Sequence, residues 1–109
     1  MIMTDRQSVA ANVTIANALT GKTMEFVRQR SIVKLFATAS ATGMNYSLIV
    51  GNDVSVEDQE VNAQNRMPIV PDDFLVATGA LPGDRVVVKL HNTTAGAIVA
   101  FTRVEILPA

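Results

Sequence analysis

The sequence predicts an all-β protein, an antiparallel two-sheet sandwich wound as a single jelly roll of about eight short strands. Three observations predict it. Apolar and polar residues alternate with period two in run after run. Turn-forming Gly, Pro, Asn and Asp recur roughly every 8 to 12 residues. No stretch sustains the 3.6-residue period of an amphipathic helix. One long connection, Glu57 to Pro71, among otherwise short ones favours the jelly roll over the alternative, an immunoglobulin-like sandwich, and the Cys and Trp hallmarks of the antibody form of that fold are missing.

Residues 1–11 carry no turn or cap logic and few apolar side chains, so they are expected to form a flexible N-terminal arm. Met1, Ile2 and Met3 at its tip would order only against a neighbouring subunit, because backbone ordering costs about 1 to 2 kcal/mol per residue. Residues 12–109 form the single sandwich domain. Asn12-Val13-Thr14-Ile15 alternates like a short strand, Gly21-Lys22 makes a turn, and Met24 to Gln29 is expected to be the second strand. Ser31 to Ala39 is the third. Val33, Leu35, Ala37 and Ala39 lie on one side of it and Ile32, Lys34, Phe36 and Thr38 on the other, so it should be covered on both faces.

Met44, Tyr46, Leu48 and Val50 share one face of the next strand. Gly51-Asn52-Asp53 is turn chemistry, which makes Tyr46 to Val56 a hairpin. Glu57 to Met67 reads as a polar surface connection, stiffened by Pro68 and Pro71 before Phe74-Leu75-Val76-Ala77 returns to strand. In Leu81-Pro82-Gly83-Asp84 the proline presets φ and the glycine can take a positive one, so a tight turn releases a strand with Val86, Val88 and Leu90 facing one way. The polar loop Asn92 to Gly96 is short, and the β-branched run that follows it to Leu107 is expected to pair back as an antiparallel hairpin over Arg85 to Leu107.

Composition narrows the function classes. At 109 residues the chain is one domain. A net charge of −1 and scattered arginines leave no basic field for nucleic acid. The absence of cysteine removes disulfides, thiolate metal sites and thiol nucleophiles. No apolar run approaches the roughly 20 residues of a membrane span, and the first ten residues lack the hydrophobic segment of a signal peptide, so no Sec export is expected. Only 17% of residues are charged. Interface cores are depleted of charge, which suits a homo-oligomeric subunit packed among neighbours.

Few residues carry chemistry. Asp53, Glu57, Asp58 and Glu60 could offer oxygen ligands, but their spacing matches no EF-hand and a solvated loop is the plainer reading. Neighbours on a strand point to opposite faces, so Asp72-Asp73 should serve turn and edge roles rather than pair as acid and base. His91 is the single histidine, which leaves no multi-histidine metal site, and no serine sits in a Gly-x-Ser-x-Gly elbow. No catalytic centre, cofactor or metal is therefore expected. For carbohydrate, which usually needs an exposed aromatic face, Tyr46 is the candidate platform, with Asp53, Glu57 and Asp58 as further candidate ligand contacts. A lectin-like or adhesion module is accordingly the alternative function.

Pro71-Asp72-Asp73-Phe74, Leu81-Pro82-Gly83-Asp84-Arg85-Val86-Val87-Val88 and Asn92-Thr93-Thr94 together resemble the C-terminal half of small β-sandwich virion proteins, the bacteriophage capsid, decoration and vertex proteins of jelly-roll type. The resemblance implies a structural subunit, located in the virion, whose partners are copies of itself and other virion proteins. It carries no functional residue across.

Overall fold

The computed structural model describes residues 1–70 and 72–109, so the expected stiffening by Pro71 lies outside the described residues. The elements in order are β1 (Ile2–Val9), β2 (Thr14–Ile15), a 3₁₀ turn (Thr23–Glu25), β3 (Ser31–Ala39), β4 (Met44–Val50), β5 (Asp53–Glu60), β6 (Asn62–Ala63), β7 (Phe74–Ala80), β8 (Val86–Asn92) and β9 (Ile98–Pro108). They form two packed, mainly antiparallel sheets, a β-sandwich. One sheet runs β1-β9-β3, with β7 and the short parallel β6 sharing the far edge of β3; the other runs β2-β8-β4-β5.

Period-two alternation builds the core between them. Val33, Leu35, Ala37 and Ala39 of β3 face Met44, Tyr46, Leu48 and Val50 of β4 and Val86, Val88 and Leu90 of β8, all buried. Tyr46 is fully enclosed, its hydroxyl 2.7 Å from Thr102 Oγ1 and 3.2 Å from the Phe101 carbonyl. The β4–β5 hairpin closes at Gly51 with φ 60, as the turn chemistry predicts. The outer side of β3 is closed only over its second half, where Phe36 and Thr38 are buried; Ile32 on the same side is exposed and Lys34 half-buried. The expected cover on both faces therefore holds only from Phe36 onward; along its edges the strand pairs with β9 on one side and with β7 and β6 on the other.

Four expectations of the fold fail, each for a physical reason. The hairpin over Arg85 to Leu107 does not form: β8 lies in one sheet, paired with β2 and β4, and β9 in the other, between β1 and β3. A five-residue link, 93–97, reaches roughly 16 Å, enough to cross the ~10 Å between stacked sheets. Crossing gives β9 two ladders, to β1 over Ile2–Val9 and to β3 over Ser31–Ala39, where a hairpin would give it one. The strand expected at Met24 to Gln29 is replaced by the 3₁₀ turn and a single bridge from Phe26 to Arg85. Buried Met24 and Val27 alternate with period three there, not two. The long connection after Glu57 is shorter than expected, because β5 continues to Glu60 and β6 follows at once.

The expected N-terminal arm is also a strand. Residues 2–9 pair antiparallel with β9, and Val9 reaches the core at 1% exposure. A terminus with little apolar content orders here because β9 offers a complete row of backbone partners.

The crossing from β8 to β9 is held by Asn92, which is fully buried. Its Nδ2 donates to the carbonyls of Val9 (3.0 Å), Ala10 (3.2 Å) and Gly96 (2.8 Å), and its Oδ1 accepts from the Thr94 backbone N–H (2.9 Å) and hydroxyl (2.8 Å). The loop then docks on the β3–β4 corner, where the Gly43 carbonyl accepts from Thr93 N–H and Oγ1. Gly43 has φ 103, and a Cβ there would overlap Thr94 Cγ2. A second buried amide, Asn17, extends the edge of β8: its Oδ1 accepts from Leu19 N–H and Val88 N–H, and its Nδ2 donates to the Val86 carbonyl.

Replacing Asn92 by Ala leaves buried backbone groups unpaired. Asn92→Ala is expected to lose roughly 2–4 kcal/mol in denaturant unfolding, against under about 0.5 kcal/mol for Asn52→Ala in the exposed β4–β5 turn. Equal effects would contradict the role given to Asn92.

Candidate interaction surfaces

The residues with chemistry in the sequence do not converge. Asp53, Glu57 and Asp58 all lie exposed along β5, and among the described residues no group of three or more His, Asp or Glu side chains could hold a metal ion. Asp58 has φ 48, and its backbone N–H donates to Ser47 Oγ, so it marks an irregularity in the β4–β5 ladder rather than a ligand cradle. Glu60 accepts from the Gly43 N–H instead. His91 pairs across to β2, its Nδ1 2.7 Å from Thr14 Oγ1.

Tyr46 cannot serve as a sugar platform, since none of its surface is open. Burial, with the nearby Asp5 charge, pushes its phenol well above the usual tyrosine range despite the bond to Thr102. The exposed aromatics are instead Phe26, at 55%, and Phe74, at 48%. Their exposure was not legible because both occur in alternating runs that resemble inward-facing strand positions.

Asp72 and Asp73 lie in the turn that precedes β7 rather than on a strand, Asp72 exposed and Asp73 buried. Asp73 organises the segment that covers the outer face of β3. Its carboxylate accepts from Arg66 Nη1 (2.5 Å) and from the Ile69 N–H (2.8 Å), its own N–H donates to the Ile69 carbonyl, and the Thr38 hydroxyl donates to the Arg66 carbonyl. Burial pushes the Asp73 carboxyl up, but the Ile69 and Arg66 bonds outweigh it and hold the pKa below the ordinary aspartate value. Met67, Ile69 and Val70 are thereby presented to solvent, with Phe74 beside them, edge-on to Phe36 at 5.6 Å.

A second apolar surface surrounds the start of β1. A cleft of about 350 Å³ is lined by Met1, Met24, Phe26, Val27, Ile106 and Pro108 among others. A shallower one of about 460 Å³ adjoins it across Met1, Thr23 and Met24 and runs past Ile2 and Met3. Glu25 fixes the wall between the 3₁₀ turn and β8: the Gly21 N–H and the Arg85 guanidinium, at 2.8 Å, hold its carboxyl below the usual range. The residues expected at the arm tip, Met1, Ile2 and Met3, thus stand at an exposed apolar site, Ile2 at 56% exposure, while being ordered by the chain itself.

Among the described residues no helix is long and apolar enough to cross a membrane. Comparison with known protein families, with characterised proteins and with solved structures returns no match.

A carboxylate with a depressed folded pKa stabilises the fold above its unfolded pKa, about 3.9 for Asp, and loses that contribution as pH falls through the folded value. Asp73→Asn is therefore expected to cost roughly 1–3 kcal/mol at neutral pH, with the difference from wild type shrinking below about pH 4. Urea unfolding across pH checks this. A difference that stays constant down to pH 2 would contradict it.

Proposed function

We propose that this chain is a non-enzymatic structural subunit of a virion, of the bacteriophage capsid or capsid-decoration kind, which works by assembling with copies of itself. The observation that carries the reading is the strand order. With β6 set aside as a short addition, β1-β9-β3-β7 faces β2-β8-β4-β5, and of the connections between these eight strands the β4–β5 hairpin alone stays within one sheet. This winding supports a single eight-stranded jelly roll, the architecture of many capsid domains, over an immunoglobulin-like sandwich. The step from architecture to virion is analogy between folds.

The surface supports assembly independently. Two separate apolar areas are exposed, one at Met1, Ile2 and Phe26 and one at Met67, Ile69, Val70 and Phe74. Scattered exposed apolar residues are ordinary, but groups of them suit contacts with neighbours. Two distinct contact areas on one subunit allow a repeating array rather than only a closed pair. The low charged fraction, 17%, fits the same role.

The test is the native mass of the purified chain over a range of concentrations, by light scattering and native mass spectrometry. A defined multiple of 11.6 kDa, or larger particles, is expected. A monomer throughout would overturn the reading.

A further inference from the structure

We propose that β1 is a self-complementary edge through which two copies of this chain pair antiparallel, about a two-fold axis at Thr4, to make one sheet continuous across both subunits. The inference rests on the self-assembling role proposed above and specifies its surface. The two sheets have four edges, and three of them are guarded. β2 is two residues long. β5 carries Asp53, Glu57, Asp58 and Glu60 and its ladder to β4 is irregular in two places. β7 has a register shift opposite Leu35/Phe36 and contains Gly79. Short length, charge and bulges are the devices that keep sheet edges from pairing.

β1 is neither short nor bulged, and its charges are one acid and one base, Asp5 and Arg6. It is eight residues long, unbroken in register against β9 from Ile2 to Val9, and contains neither Lys nor Pro. Met1 exchanges backbone hydrogen bonds with Ile106, through its nitrogen and its carbonyl, both at 2.8 Å. Bonded and non-bonded pairs alternate along an antiparallel ladder, so the odd residues of β1 bond to β9. The N–H and C=O groups of Ile2, Thr4, Arg6 and Ser8 therefore point outward, an unpaired row of four donors and four acceptors.

The charges select the register. Directly opposed residues of an antiparallel pair share a face, so a two-fold pairing places each residue against one of the same parity. An axis at Asp5 would set Asp5 against Asp5 of the other copy, and one at Arg6 would set Arg6 against Arg6. Like charges directly opposed destabilise a sheet. An axis at Thr4 sets Thr4 against Thr4, Ile2 against Arg6 and Met3 against Asp5. It overlaps residues 1–7, more than any other register free of like-charge pairs. Asp5, on the inner face of the edge strand, acts on this account as a selector of register.

The chain has no cysteine, so single substitutions report the pairing directly. Opposed residues across such a ladder have Cα atoms about 5.5 Å apart, within disulfide range, whereas Arg6 would stand four residues out of step with its own copy. Under mild oxidation Thr4→Cys is expected to give a covalent dimer, Arg6→Cys alone none, and Ile2→Cys mixed with Arg6→Cys a mixed dimer. Arg6→Cys cross-linking as fast as Thr4→Cys would overturn the register. Thr4→Pro removes an outward N–H while leaving the bonds to β9 intact, and it should weaken association at least roughly tenfold with an unchanged circular dichroism spectrum. If Thr4→Pro disturbs the fold, the cross-linking pattern decides alone. An unchanged native mass in folded Thr4→Pro, together with no Thr4→Cys cross-link, would overturn the edge pairing while leaving self-assembly through another surface standing. A wild-type monomer would overturn both.

Discussion

Most of this structure depends on one crossing. At Asn92 the chain leaves the sheet holding β8 and enters the one holding β9, and a buried side-chain amide serves three segments there: Val9 and Ala10 at the end of β1, Thr94 in the loop, and Gly96 before β9. A turn of this kind exposes backbone groups to an apolar interior, where each unpaired one costs about 1–3 kcal/mol. Asn supplies donors and an acceptor from a single residue, and among the described residues no buried side-chain polar atom is left without a partner. Gly43 completes the corner by letting the loop approach closely.

The crossing also decides what the molecule presents outward. Because β9 enters the sheet between β3 and β1, β1 becomes the outermost strand and its outer row of backbone groups stays open. The opposite edge of that sheet is occupied by β6 and β7, with the Arg66–Asp73 tie holding a covering segment over Thr38. The two ends of one sheet are thus chemically different: one is a bare backbone edge beside an apolar cleft, the other a side-chain-covered edge with an apolar tip. In the proposed assembly, that asymmetry would serve contacts with more than one kind of neighbour.

Strands were legible wherever one face is buried and one is not. Ser31–Ala39, Met44–Val50 and Val86–Asn92 stand where alternation puts them. Their pairing was less legible, since period two states which face is inward and says nothing about which sheet a strand joins. A short polar loop suggested a hairpin after Asn92, and the Asn-Thr-Thr run that in fact builds the crossing has the same composition as a turn. β1 was missed because its stability comes from the ladder to β9 rather than from its own side chains. The acidic residues of β5 appeared together in sequence, but on an extended strand they spread along an edge. Tyr46 was read both as core and as a platform, and its alternation with Met44 and Leu48 was the better guide.

The chain changes sheets at Asn92, so that β8 and β9 lie in different sheets and are not hydrogen-bonded to each other. Interstrand backbone contacts measured by nuclear Overhauser effects test it most directly. Leu48 is expected opposite Val88, and Leu35 opposite Val104. A ladder of backbone contacts between β8 and β9 would contradict it, and with it the open edge at β1.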